Sequence, residues 1–157
     1  MKTQTKEVSF AQSVVRILFL LYCGLMLWLL FGQRLEGKAL DITLDGSGEN
    51  LNLVPFATLR LYWRLLKKDA SENLLRQAII NLAGNVVMFV PLGWFLPKIW
   101  RAFQGFFKTV FFGIVLICLV ELVQYVTGLG VCDIDDLILN ALGIMLGYGI
   151  WKLRRRK

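Results

Sequence analysis

The stretch ELVQYVTGLGVCDIDDLILN, Glu121 to Asn140, closes one apolar run and opens the next. Glu121 and Gln124 stand at the end of the first run; Asp133, Asp135, Asp136 and Asn140 stand at the start of the second. Ionisable groups inside or at the edge of a bilayer are costly, so they face a protein interior or a wet cavity and mark function.

Outward from that stretch, composition decides which solvent the chain lives in. It is 157 residues long and 57% hydrophobic, with a mean hydropathy of +0.60, against ~45–50% apolar residues in an average soluble domain. This predicts a single integral membrane domain over residues 1–157. The net charge of +7 comes from 18 Lys plus Arg against 11 Asp plus Glu. Much of the excess, notably Lys152, Arg154, Arg155, Arg156 and Lys157, flanks an apolar run. Anionic lipid headgroups are the natural counterpart of such a flank. The basic residues are not interleaved with aromatics as a base-stacking surface requires, so membrane lipids are the expected partner and nucleic acid is not.

Cys23 and Cys118 lie within apolar runs, Cys132 stands beside Asp133, and there is no histidine. No spacing argues for a disulfide or a zinc site, and a transition metal has little to build on. No cofactor is identified. A divalent cation held by oxygen ligands is left open, with Glu121, Asp133 and Asp136 as its candidate ligands.

The fold expected is all-α, a bundle of four transmembrane helices over about 17–31, 78–96, 106–126 and 134–151. The first run, Ile17 to Phe31, follows Lys2, Lys6 and Arg16 and reads as an uncleaved helix, because no small-x-small site follows Gly32. The second carries Asn81 and Asn85 at i and i+4, then Pro91 and Gly93. The asparagines read either as interhelical glue or as part of a site, and neighbouring helices can re-satisfy the backbone freed by the proline. On the fourth run, steps of three and four residues place Asp133, Asp136, Asn140, Gly143 and Gly147 in one stripe, and Asp135 falls off it into a capping role. Between the first two runs lies a polar connection with a turn at Asp45-Gly46. It continues into LNLVPFATLRLYWRLLKKD, where Arg60, Arg64, Lys67 and Lys68 oppose Leu59, Tyr62, Trp63 and Leu66. That pattern predicts an amphipathic interfacial helix in the first external loop.

Basic residues orient the bundle. Lys2, Lys6 and Arg16 precede the first run; Lys98, Arg101 and Lys108 join the second to the third; the carboxyl terminus is basic; and the connection between the third and fourth runs has no Lys or Arg. Both termini are therefore expected in the cytoplasm. Arg34, Lys38, Arg60, Arg64, Lys67, Lys68 and Arg76 in the long first connection argue the other way. With the termini inside, Asn85, Glu121 and Asn140 each lie roughly 8–10 Å below the outer ends of their helices at ~1.5 Å per residue. Asn52, Pro55 and Phe56 would lie on the same side as a roof.

Four of these segments, LNLVPF at Leu51 to Phe56, GNVVMFVPLG at Gly84 to Gly93, ELVQY at Glu121 to Tyr125 and DIDDLILNALG at Asp133 to Gly143, resemble the signature blocks of the VanZ-like family. The resemblance runs from about Tyr22 to Tyr148. It implies a small protein of the bacterial plasma membrane with a role in the cell envelope; the family's name-giving member confers resistance to teicoplanin, a lipid-bearing glycopeptide. Carried over by motif, the matching positions are Asn52, Pro55, Phe56, Asn85, Pro91, Gly93, Glu121, Gln124, Asp133, Asp136, Asn140 and Gly143.

Three functional readings follow. The foremost is a protein that binds or handles a lipid-linked cell-wall component, or a lipoglycopeptide, at the outer leaflet. Its binding residues are Asn52, Pro55, Phe56, Asn81, Asn85, Glu121, Gln124, Asp133, Asp136 and Asn140, with Arg60, Arg64 or Arg76 available for phosphate. An intramembrane enzyme acting on a lipid phosphate would use Glu121 as general acid or base beside an ionised Asp136. The chain has no G-x-S-x-G and no Ser or Cys beside a His, so the balance leans away from catalysis. A purely structural polar core is the third.

Overall fold

The computed structural model describes residues 2–32, 51–67, 72–129 and 132–155. The Asp45-Gly46 turn lies outside them. Five helices follow in order: α1 (Lys2–Leu27), α2 (Ala57–Lys67), α3 (Glu72–Ile99), α4 (Phe106–Thr127) and α5 (Ile134–Arg155). Two two-residue strands, β1 (Leu51–Asn52) and β2 (Cys132–Asp133), pair in parallel, Leu51 opposite Cys132 and Asn52 opposite Asp133. That pairing was not anticipated, because two residues are too few to carry a periodic signal.

Among the described residues, four helices are long and apolar enough to cross a membrane: Phe10–Gly32, Ala78–Ile99, Phe106–Thr127 and Ile134–Arg155. The chain is a multi-pass membrane protein. The helices run past the apolar stretches that announce them. α3, for instance, starts at Glu72, ahead of the apolar run at Ala78.

Lipid is as apolar as a leucine side chain, so close packing and interhelical hydrogen bonds, rather than burial from water, must hold the bundle together. α3 and α5 share its most extensive interface. Three glycines make it: a Cβ on Gly143 would lie 2.2 Å from the Val86 carbonyl oxygen, one on Gly147 would lie 1.9 Å from that of Val90, and one on Gly93 would lie 2.1 Å from that of Ile144. The two backbones are thus in contact. Ile144, wholly buried, also fills the space over Gly113 of α4. Phe89, Leu92, Leu96 and Ile117 complete the core with Met26 of α1.

α1 is held more lightly. Leu20 and Leu21 are among its many exposed apolar residues, as befits a lipid-facing helix. Its ties to α3 are the Tyr22 hydroxyl, which donates to the Met88 carbonyl at 2.8 Å, and the Phe19 ring, packed edge-on against Phe95 and Trp100. Its last turn widens to a π-helix at Trp28–Gly32, and there the buried Gln124 amide of α4 donates to the Leu30 carbonyl at 3.0 Å. At the other end Thr109 binds the carbonyls of Phe103 and Gly105, and the Tyr148 hydroxyl donates to that of Gln104 at 2.8 Å. These bonds pin the α3–α4 connection onto α5.

Candidate functional site

α4 ends in a left-handed glycine. Gly128 has φ 66°, its N–H bonds back to Tyr125, and the Leu129 N–H reaches the Gln124 carbonyl at 3.0 Å. This is the Schellman arrangement, which stops the helix and reverses the chain. α5 then opens with its own cap: Asp133 Oδ1 accepts the Asp135 N–H at 2.8 Å. The turn therefore places the Glu121 and Asp136 faces of two antiparallel helices side by side.

Above the turn sits the roof. Asp133 Oδ2 accepts from the Thr58 hydroxyl at 2.5 Å and from the Asn52 amide at 3.2 Å, and that amide also reaches Thr58 Oγ1 at 3.3 Å. The wholly buried Asp135 accepts the Phe56 N–H at 2.5 Å through Oδ1 and the Leu59 N–H at 3.2 Å through Oδ2. Phe56 and Leu59 occupy the N-cap and N3 positions of α2, so one carboxylate from another helix satisfies two amides at its start. Asp135, given only a capping role by the sequence, is the residue that docks α2. The signal for it was the segment Pro55-Phe56-Ala57, a helix start without a Ser, Thr, Asp or Asn to cap it.

α2 is amphipathic as expected. It lies against the bundle as well as facing outward: Thr58 and Tyr62 are buried and Trp63 is exposed. The Asn81 amide donates to the Tyr62 hydroxyl at 3.0 Å, tying α2 to α3. Burial raises the Tyr62 phenol above its ordinary value, and the charges of Asp136 and Asp133 add to the rise. Arg60 folds back on the carbonyls of Pro55 (2.8 Å) and Phe56 (3.1 Å), while Arg64 and Arg76 are exposed. Leu53, Val54 and Phe56 leave 60%, 57% and 52% of their surfaces uncovered, an apolar crest on the roof. Phe56 holds φ 61°, a left-handed conformation that is an outlier for a bulky side chain.

The remaining candidate residues lie on α3, α4 and α5. The Asn85 amide donates to Asp136 Oδ1, joining α3 to α5. Glu121 is buried on the α4 face that also carries Ile117 and Gln124. Asn140, one turn below Asp136, is 4% exposed, and its Oδ1 has no hydrogen-bond partner among the described residues. The Cys132 thiol reports the local field. Burial first, then the charges of Glu121, Asp133 and Asp136 with Cys118, push it above the ordinary thiol value.

The sequence-derived residues thus fall into two groups. Asn52, Asp133, Asn81 and Gln124 spend their polar atoms on other parts of the protein, and Pro55 and Phe56 contribute backbone to the roof. Asn85, Glu121, Asp136 and Asn140 lie inside. Among the described residues no three His, Cys, Asp or Glu side chains gather as a metal would need. Glu121, Asp133 and Asp136 therefore do not form one cage.

The candidate site residues lie on the segments Leu51–Phe56, Gly84–Gly93, Glu121–Tyr125 and Asp133–Gly143. The family model described as VanZ/LLP1 matches residues 19–155. The chain belongs to this family. A relative named Protein VanZ, from Enterococcus faecium, is 27% identical over 141 residues, covering 90% of this chain and 75% of that protein. No solved structure matches. The VanZ/LLP1 match takes in every residue of the inner cluster and every contact of the roof.

Proposed function

We propose that this VanZ/LLP1 protein lies in the bacterial plasma membrane with both termini cytoplasmic. There it binds a lipid-linked cell-envelope component, or a lipid-bearing glycopeptide of the teicoplanin type, at the outer leaflet. Asn140 carries the reading. A buried carbonyl oxygen without a donor costs about 1–3 kcal/mol, and native proteins rarely leave one so. Glu121 and Asp136 add further hydrogen-bond acceptors. Such a site favours a headgroup presenting ammonium, amide or hydroxyl donors, as peptide-bearing envelope lipids and glycopeptides do. The apolar crest at Leu53, Val54 and Phe56 stands where the acyl part of such an amphiphile would pass.

The test is expression in a teicoplanin-susceptible bacterium alongside Glu121→Gln, Asp136→Asn and Asn140→Ala, with membrane abundance measured for each. The reading expects teicoplanin tolerance from the parent chain and its loss in the variants at unchanged abundance. Variants that are inactive only because they are degraded point instead to a structural polar core. Orientation is tested by labelling single cysteines at Ser47 and Val131 with an impermeant reagent, after removal of Cys23, Cys118 and Cys132. Labelling only in broken cells would turn the cluster toward the cytoplasm and sink the outer-leaflet site.

A further inference from the structure

At the end of the bundle remote from the carboxylates, α1, α3, α5 and the α3–α4 connection line an open cavity of about 920 Å³. Arg16, Lys98, Arg101, Arg154 and Arg155 line it, and among the described residues no Asp or Glu does. Eighteen helical residues separate Asp136 from Arg154, about 27 Å at ~1.5 Å per residue, so this is a separate place from the cluster above. Cations gathered in one concavity repel one another, and a bound anion would relieve that repulsion.

Two of the five cations have neighbours that steady them. Arg155 donates to Gln104 Oε1 at 3.0 Å and lies over the Trp151 ring, 5.4 Å from its centroid. Lys98 stands 6.0 Å from the centroid of Trp94. Both indoles line the space, and tryptophan favours the headgroup level of a bilayer. The α1 wall is apolar at Ala11 and Val15, on a helix whose other faces meet lipid. A simple phosphate would fill little of such a volume, which is that of a site for a molecule of some hundreds of daltons.

We propose that this cavity binds the headgroup of an anionic phospholipid, its phosphate held by Arg16, Arg101 and Arg154 and its glycerol flanked by Trp94 and Trp151. Guanidinium groups suit the task because their paired N–H donors match two phosphate oxygens at once. The assignment is independent of the ligand proposed for the carboxylate cluster.

The full chain, purified in detergent and offered equal amounts of phosphatidylglycerol and phosphatidylcholine, would be examined by native mass spectrometry. Phosphatidylglycerol adducts should predominate. Each charge removed should weaken them about five-fold, so Arg101→Gln/Arg154→Gln should lose about 25-fold. The corresponding Arg→Lys pair, which keeps the charges but loses the paired donors, should lose less than the Gln pair, and Lys108→Gln, outside the cavity, should change nothing. If the double variant aggregates, Arg16→Gln alone carries the test with its five-fold loss. Equal binding of the two lipids by the parent chain overturns the proposal, as does a loss in Lys108→Gln equal to that in the cavity variants. Displacement of the lipid by millimolar inorganic phosphate would assign the site to a soluble phosphate compound and overturn it too.

Discussion

Asp135 and Phe56 meet across 79 positions of sequence: the carboxylate accepts the Phe56 amide at 2.5 Å, and with its other oxygen it takes the Leu59 amide. A residue on the first turn of α5 thereby caps α2 and fixes the start of that helix against α5.

Replacing Asp135 by Ala leaves two amides of α2 without their acceptor. A charge-assisted hydrogen bond of this kind contributes about 1.5–3 kcal/mol, so the Asp135→Ala protein should unfold earlier by at least that much. Trypsin should also gain access at Arg60 and Arg64. Denaturant titration in detergent and limited proteolysis measure both, and an unchanged midpoint with a protected α2 would refute the capping role.

The α3–α5 interface offers a matched pair. A Cβ at Gly147 would lie 1.9 Å from the Val90 carbonyl oxygen, whereas one at Gly149 meets nothing within 4 Å. Gly147→Ala should cost about 1–3 kcal/mol through overpacking. Gly149→Ala, two residues along the same helix, should be neutral or gain up to about 1 kcal/mol of helix propensity. Equal effects of the two would mean that the helices are not in backbone contact.

Cys132 gives a pH-dependent readout of the cluster. Burial and the negative charges of Glu121, Asp133 and Asp136 disfavour its thiolate. Since the thiolate is the nucleophile, alkylation should rise with pH later than for an ordinary cysteine thiol. Neutralising a neighbour lowers the thiol's pKa, so Glu121→Gln should speed alkylation at a fixed pH near 8.5. The comparison is made in a background lacking Cys23 and Cys118, and identical pH profiles would place Glu121 too far away to matter.

Phe56 keeps a bulky ring at φ 61° with half its surface uncovered. Left-handed backbone costs a non-glycine residue roughly 1–2 kcal/mol, and such strain gathers at functional sites. Phe56→Gly should hold or slightly raise stability while lowering teicoplanin tolerance. Full tolerance in that variant would remove the ring from the binding surface.

The four spans and the amphipathic helix follow from hydropathy and helical periodicity alone. These are local properties: in a bilayer each apolar run must satisfy its own backbone, so a helix forms wherever the run is long enough. The tertiary structure decided which polar atom meets which. Depth counting set Asn85 level with Asn140, yet its hydrogen bond goes to Asp136. Gln124 turns away from the cluster to Leu30, and Asp135, off the polar stripe, takes the place of the missing cap on α2. Such partnerships depend on a few ångströms of helix translation and on a loop docking from far along the chain, and no periodic pattern encodes either.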